Sequence, residues 1–324
     1  MAYDMTDRKG ELWGVVLAAG EGRRMNEFIR SSYGLDSPKQ YVAFTGERSM
    51  IQQTLDRVGR LIPIERTRIV VSPGHIREIR SQLSGLPQET LIFQPQNRET
   101  APGALLPLIS IYKRDPEARV VFFPSDHFIQ EEERFMRYVA AADEVVRHHP
   151  DQIVLLGIEP EGPEEEYGWI APGDRLCGPH RTDAKRVGRF LEKPSRESAR
   201  LFYESGYLWN TFVSVMRADT LIALARQHLS GIWSSFERIL SASGTAHETS
   251  TIEREYRTME KATLSHAIFE RCADRISVIE VKEVFWSDWG SRHRVLQSLE
   301  RIEQGRNSPA GGASKRMAEA VGAR

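Results

Sequence analysis

Between residues 12 and 157, short β-rich runs alternate with helical patterns, and this alternation constrains the fold more than any other feature of the chain. Segments 12–18, 67–72, 90–94, 119–123 and 152–157 read as buried strands, and 50–61, 75–83, 101–113 and 131–149 as helices. Strand–helix alternation with connections this short predicts right-handed crossovers and an α/β fold, a mostly parallel twisted sheet with helices on both faces. In such sheets ligands sit outside the carboxyl ends of the strands, so the residues that follow each strand carry the functional argument. The second half is more mixed. Strands are expected at 184–192, 208–216 and 275–281, and helices at 196–205, 217–228, 252–270 and 291–304. No linker composition divides the halves, so 1–304 reads as one domain. The Gly-, Ala- and Ser-rich segment 305–324 reads as a disordered tail.

Composition serves mainly to exclude. With 44 Lys+Arg against 45 Asp+Glu, a net charge of −1 makes no electrostatic case for nucleic acid or an anionic membrane as partner. The longest apolar runs, such as Ile153-Val154-Leu155-Leu156, are far too short to span a bilayer. Residues 1–11 are polar and lack the apolar core of a signal peptide. Cys177 and Cys272 are too few for a disulfide framework or a Cys-based zinc site. The expected compartment is therefore the reducing cytosol.

Directly after the first strand comes Leu17-Ala18-Ala19-Gly20-Glu21-Gly22-Arg23-Arg24-Met25. A glycine-rich turn lets backbone N–H groups approach phosphate oxygens. It is not a Walker loop, because no Gly-Lys-Ser/Thr follows, and Met25 stands where a dinucleotide fingerprint needs its third glycine. An ordinary strand–loop–helix turn explains the loop equally well. Ser37-Pro38-Lys39-Gln40 places a stiffening proline before a single lysine, although a lysine is most often just solvated.

The ordered set of motifs is more specific than any member. Leu-Ala-Ala-Gly-x-Gly-x-Arg-Met followed by Pro-Lys-Gln resembles the signature of sugar-1-phosphate nucleotidylyltransferases. Further segments match in the family's order. Gln94-Pro95-Gln96-Asn97-Arg98-Glu99-Thr100-Ala101-Pro102 is similar to its base-recognition segment, and Phe123-Pro124-Ser125-Asp126-His127 to the strand end that carries its metal aspartate. Glu166-Tyr167-Gly168-Trp169-Ile170, Glu192-Lys193-Pro194, Trp209-Asn210-Thr211 and Trp286-Ser287-Asp288-Trp289-Gly290 resemble its sugar-side and second-metal motifs. The resemblance covers residues 12–303 and is nearest to mannose-1-phosphate guanylyltransferases. It implies a Rossmann-like fold of the nucleotide-diphospho-sugar transferase type, with a nucleotide half at about 12–150 and a sugar half at about 151–304. The chain departs from the pattern at Ala19, a frequent glycine, at Arg23, a frequent threonine, and at Thr211-Phe212, usually Ser-Gly.

The implied reaction is attack by a sugar 1-phosphate oxygen on the α-phosphorus of a nucleoside triphosphate, expelling pyrophosphate. The nucleophile is already anionic at pH 7, so alignment and charge cancellation are needed rather than a general base. Unit like charges 4 Å apart repel by about 4 kcal/mol at an effective dielectric near 20. By resemblance, Arg24 stabilises the triphosphate and Lys39 bridges the reacting phosphates; these are the catalytic candidates. Lys193 holds the sugar phosphate, while Arg23 faces solvent. Asp126 and Asp288, 162 residues apart (288 − 126), share one Mg²⁺, an ion that takes one or two carboxylates plus phosphate oxygens; His127 packs or hydrogen-bonds.

The nucleotide is expected on Leu17, Ala18, Ala19, Gly20, Gly22, Gln94, Asn97, Arg98, Thr100 and Ala101, and the sugar phosphate on Gly168, Glu192, Lys193 and Asn210. Plainer roles stay open: Asp126 as a helix cap, Asp288 in a turn, Thr100 as N-cap with Pro102 in the first turn, Trp209 as core. GTP and mannose 1-phosphate are the favoured partners by resemblance. UTP with glucose 1-phosphate, or a non-catalytic nucleotide-binding relative, are the alternatives. No second-domain pattern follows residue 304, so one activity is expected. A homo-oligomer stays open.

Overall fold

The computed structural model describes residues 9–177 and 183–307. Its strands are β1 (Leu12–Ala18), β2 (Thr67–Val71), β3 (Leu91–Phe93), β4 (Arg119–Pro124), β5 (Phe128–Ile129) and β6 (Ile153–Ile158). They continue with β7 (Gly168–Arg175), β8 (Lys185–Glu192), β9 (Leu208–Arg217), β10 (Ile276–Val281) and β11 (Trp286–Ser287). The helices are α1 (Asn26–Tyr33), α2 (Met50–Gly59), α3 (Ile76–Gln82), α4 (Thr100–Arg114) and α5 (Glu132–His148). After them come α6 (Arg196–Glu204), α7 (Ala218–His228), α8 (Ser230–Ala242), α9 (Glu248–Thr258) and α10 (Arg292–Asn307).

Nine strands form one sheet in the order β3-β2-β1-β4-β9-β6-β10-β8-β7. β1 pairs in parallel with β2 and β4, β2 with β3, and β6 with β10. β9 runs antiparallel between β4 and β6, and β8 runs antiparallel to β10 and β7. The strands therefore mostly share one direction, but apart from β6–β10 the ladders of the second half are antiparallel. β7 also pairs with β9 through Trp169 and Ile170, which curls the sheet around the carboxyl ends of β4 and β6.

Alternate residues along each strand leave by opposite faces, and both faces are apolar, as a sheet covered on both sides requires. Val15, Val70, Phe122 and Leu155 pack with Leu105 of α4, Leu221 of α7 and Phe236 of α8. Their neighbours Val16, Val71, Phe123 and Leu156 pack with Ile51 of α2, Ile79 of α3 and Val139 of α5. A third, smaller cluster joins Met25, Ile29, Val42, Phe128, Trp289 and Val295. It anchors the long loop after β1, the β5–β11 ribbon and α10 as one unit beside the sheet.

Several expectations need correction. Residues 252–270 are not one helix: α9 ends at Thr258 and a π-turn occupies Ser265–Phe269. The intervening chain is instead held by Ala101 N donating to Ala262 O and Ala262 N donating to Arg98 O, so long-range pairing overrides local helix propensity. α1, β7, α8 and the β5–β11 ribbon were not expected. The closing helix continues to Asn307, which shortens the expected tail; its remainder, 308–324, lies outside the described residues.

Candidate functional site

Gly22 turns the chain after β1 with φ +60°, and a Cβ there would lie 3.2 Å from the backbone nitrogen of Lys39. Glycine is thus required both by conformation and by close approach. Gln40 Nε2 donates to Ala18 O (2.9 Å) and Gly20 O (2.8 Å), tying the glycine-rich loop to the Pro-Lys-Gln segment. That fixes Lys39, only 5% exposed, with Nζ 2.8 Å from Asp126 Oδ2 and donating to the carbonyl of Asp288. Arg24 projects from the same loop to Glu166, at 3.0 Å. Arg23 faces solvent beside Glu21.

The two aspartates are joined by a ribbon of two-residue strands. Trp286 pairs with Ile129 and Ser287 with Phe128, antiparallel, so Asp288 and Asp126 emerge together at its end. Asp288 Oδ1 accepts from Tyr167 Oη (2.8 Å), Gly290 N (2.9 Å) and Arg294 Nη1 (3.1 Å). Burial is the largest single influence and pushes both carboxyls toward neutrality. It is outweighed by Lys39 and neighbouring groups at Asp126, and by Arg294 together with Lys39 and the Gly290 N–H at Asp288, leaving both pKa values below the ordinary one. His127 is lowered by burial and stays neutral near pH 7, edge-on to Trp286 at 5.3 Å.

Each carboxylate keeps one less engaged oxygen. Among the described residues, Asp126 Oδ1 has only His127 Nε2 at 4.0 Å, and Asp288 Oδ2 only Arg294 Nη1 at 3.3 Å. Two such oxygens beside a space for phosphates fit the hard, oxygen-only coordination of Mg²⁺. Among the described residues no group of three or more His, Cys, Asp or Glu is arranged to hold a metal, so the fit is to an ion completed by substrate and water.

Gln94 N donates to Val71 O (2.9 Å), which brings the 94–100 loop to the end of β2. α4 begins at Thr100, with Glu99 as its N-cap at φ +69° and ψ −175°. Thr100 is therefore not the cap; its Oγ1 accepts from Leu264 N at 2.9 Å. On the opposite wall, β9 bulges against β6 between Leu155 and Gly157, with Phe212 at φ +66° and its N–H donating to Asn210 Oδ1 at 3.0 Å. Bulges of this kind re-aim side chains beside active sites. A Cβ on Gly168 would lie 2.7 Å from Glu192 Oε2 and 3.2 Å from Asn210 Cβ. Burial raises the Glu192 pKa, opposed by a hydrogen bond from Ser265.

These parts enclose a cleft of about 380 Å³. Leu17, Ala19, Gly20, Arg24, Gln94, Asn97 and Thr100 line one side, Asp126 and Asp288 the floor, and Gly168, Glu192, Lys193 and Asn210 the other side. Lys39 acts from beneath, through Asp126. The remaining expected residues do not line it. Ala18 and Ala101 are buried in packing, and Gly22 supports Lys39. Arg98 is turned away, its guanidinium donating to the carbonyls of Tyr256 (2.8 Å) and Arg257 (2.7 Å).

Missed residues include Tyr167 and Arg294, which orient Asp288, and Glu99 and Phe212, which line the cleft. Glu99 and Tyr167 lie inside the family-like segments 94–102 and 166–170, and Phe212 at a departure from the motif, but only the fold shows what they face. Arg294 lies in no motif, and its partner Glu164 is distant in sequence. Five non-glycine residues among those described have positive φ, and Glu99, Lys193, Phe212 and Trp289 of these border the site. Such conformations cost about 1–3 kcal/mol each and concentrate where function imposes them.

Comparison with known proteins agrees with this fold. The model of the nucleotidyl transferase family matches residues 13–305. The chain is 28% identical to mannose-1-phosphate guanylyltransferase of Escherichia coli over 289 residues, 87% of this chain and 59% of that protein. It is 26% identical to alginate biosynthesis protein AlgA of Pseudomonas putida over 298 residues, 90% of this chain and 59% of that one. It thus spans about three fifths of the length of these curated relatives. The crystal structure of mannose-1-phosphate geranyltransferase from Thermus thermophilus superposes with a TM-score of 0.74 at 26% identity, over 88% of this chain and 79% of that one. The match across most of its length establishes that the chain belongs to the nucleotidyl transferase family.

Proposed function

We propose that the chain transfers a nucleotidyl group from a nucleoside triphosphate, GTP by preference, to a sugar 1-phosphate, mannose 1-phosphate by preference. An oxygen of the sugar phosphate attacks the α-phosphorus in line. The bond from α-phosphorus to the bridging oxygen breaks, and pyrophosphate leaves with that electron pair. No proton need be removed from the nucleophile, because the phosphate oxygen is already anionic near pH 7.

One observation carries the reading: the glycine-rich loop, the 94–100 loop, the aspartate pair and the Gly168–Glu192–Asn210 wall converge on a single cleft. Within it Arg24 takes the triphosphate once displaced from Glu166, Lys39 lowers the charge between the reacting phosphates, and Lys193 meets the sugar phosphate. Glu192 and Asn210 bind sugar hydroxyls. Asp126 and Asp288 would hold Mg²⁺ by their less engaged oxygens. When bound, that ion supplies charge neutralisation and orients phosphate oxygens. Residues 1–304 act as one catalytic unit in this reading, with the nucleotide on the 12–150 side and the sugar on the 151–304 side.

The test is phosphate release in the presence of Mg²⁺ and inorganic pyrophosphatase, for each nucleoside triphosphate against a panel of hexose 1-phosphates. One strong pair, GTP with mannose 1-phosphate, is expected. Another productive pair keeps the chemistry and replaces the substrates. Silence across the panel with nucleotide binding retained would make the chain a binding relative.

A further inference from the structure

The 94–100 loop carries two polar side chains whose hydrogen-bonding capacity the protein leaves unused. Gln94 is 3% exposed, yet its buried Nε2 has no partner among the described residues. Glu99 lines the same cleft, and among the described residues its carboxylate makes no hydrogen bond or ion pair. Its backbone, at φ +69° and ψ −175°, lies in a region that glycine occupies without strain and other residues avoid. The surroundings enforce this conformation: Glu99 N donates to Asn97 Oδ1 (2.9 Å), Gly103 N donates to Glu99 O (3.2 Å), and Arg98 is fastened to α9. A glutamate where glycine would fit more easily, on the wall of a cleft, calls for a role.

A free carboxylate accepts two parallel N–H bonds well, and an amide NH₂ donates. Guanine is the base with two adjacent donors, N1–H and N2–H, next to an acceptor, O6. Adenine and cytosine place an acceptor beside their amino group, and uracil flanks its one N–H with two acceptors. Each of those sets a lone pair against a carboxylate. Resting on the proposed nucleotidyl transfer, we propose that Glu99 is the guanine-selecting residue: its carboxylate accepts from N1–H and N2–H while the Gln94 amide donates to O6. Sites built around such polar groups reject bases that leave them unpaired.

ITP, which lacks the 2-amino group, isolates the contact. Equilibrium binding of GTP, ITP and ATP is measured for the wild type, Glu99→Gln and Glu99→Gly, together with the melting temperature of each. The wild type is expected to bind GTP about tenfold or more tighter than ITP. Glu99→Gly should bring that ratio close to one while the melting temperature holds or rises, since glycine relaxes the backbone; Glu99→Gln should lower the ratio at unchanged side-chain volume. A GTP-to-ITP ratio that survives both substitutions overturns the role of Glu99 and leaves nucleotidyl transfer standing. A wild type that binds no triphosphate overturns the transfer reading itself.

Discussion

Lys39 Nζ lies 2.8 Å from Asp126 Oδ2 and also donates to the backbone carbonyl of Asp288, so one buried cation is held between two acidic residues 162 positions apart in sequence. The arrangement depends on Gln40, which pins the glycine-rich loop, and on the β5–β11 ribbon, which delivers both aspartates. Replacing Lys39 by Met removes a charge-assisted bond and leaves Asp126 against an apolar neighbour. Turnover should fall by about a hundredfold or more. The loss of stability should be about 1–3 kcal/mol, toward the low end because the Asp126 side chain is 34% exposed. Parallel kinetics and denaturant titration check both.

Asp126→Asn deletes the charge at nearly constant volume and keeps an acceptor for Lys39. The fold should persist while turnover drops by about a thousandfold. Near-normal activity at saturating Mg²⁺ would remove Asp126 from its role.

Arg294 is 11% exposed in its side chain and reaches Asp288, Glu164 (2.8 Å) and Glu166 (3.1 Å) at once, with its guanidinium 4.6 Å above the Tyr167 ring. Arg294→Met leaves the Asp288 carboxylate, 16% exposed, without its cation, a loss of about 1–3 kcal/mol. The Asp288 carboxylate should also lose its orientation, raising the Mg²⁺ concentration for half-maximal rate by about tenfold. Arg294→Lys should restore part of the stability but less of the metal response, because lysine lacks the fork. Mn²⁺ binding followed by electron paramagnetic resonance separates the two effects.

Gly168→Ala places a methyl group 2.7 Å from Glu192 Oε2 and 3.0 Å from Phe190 Cζ. Glu192 must move, so KM for the sugar phosphate should rise by about tenfold while that for the nucleotide changes little.

Glu192 itself makes a pH-dependent prediction. Burial raises its folded pKa above the ordinary glutamate value, so the fold binds this proton more tightly than the unfolded chain does. Its contribution is fully present below the unfolded pKa and is lost as pH rises through the folded one. Glu192→Gln should therefore be more stable than wild type at pH 7, with the difference closing toward pH 4, and should bind sugar phosphate less well. Thermal melts across that range decide it.

Where hydrophobic patterning alone dictates structure, the chain is readable. β1 spans Leu12–Ala18 as its apolar run predicts, and β2, β4, β6, α2 and α5 fall within two residues of expectation. β7 was hidden because Gly168, Pro172 and Gly173 resemble turn residues, although the sheet tolerates them through its register shifts. The ribbon is two residues per strand, below the length at which alternation can register. Asp126 and Asp288 were legible as a pair only through the family motif, and what orients them was not. Tyr167 and Arg294 come from separate segments, and Arg98 shows that a motif residue can serve the loop rather than the ligand.

The most direct test of the account is the stereochemistry at the α-phosphorus, with a chiral α-thio analogue of GTP and mannose 1-phosphate as substrates. A site that aligns two phosphates between Lys39, Arg24 and the aspartate pair, without a side-chain nucleophile, predicts one in-line displacement and inversion of configuration. Retention would require two displacements through a covalent enzyme intermediate, and would contradict the mechanism.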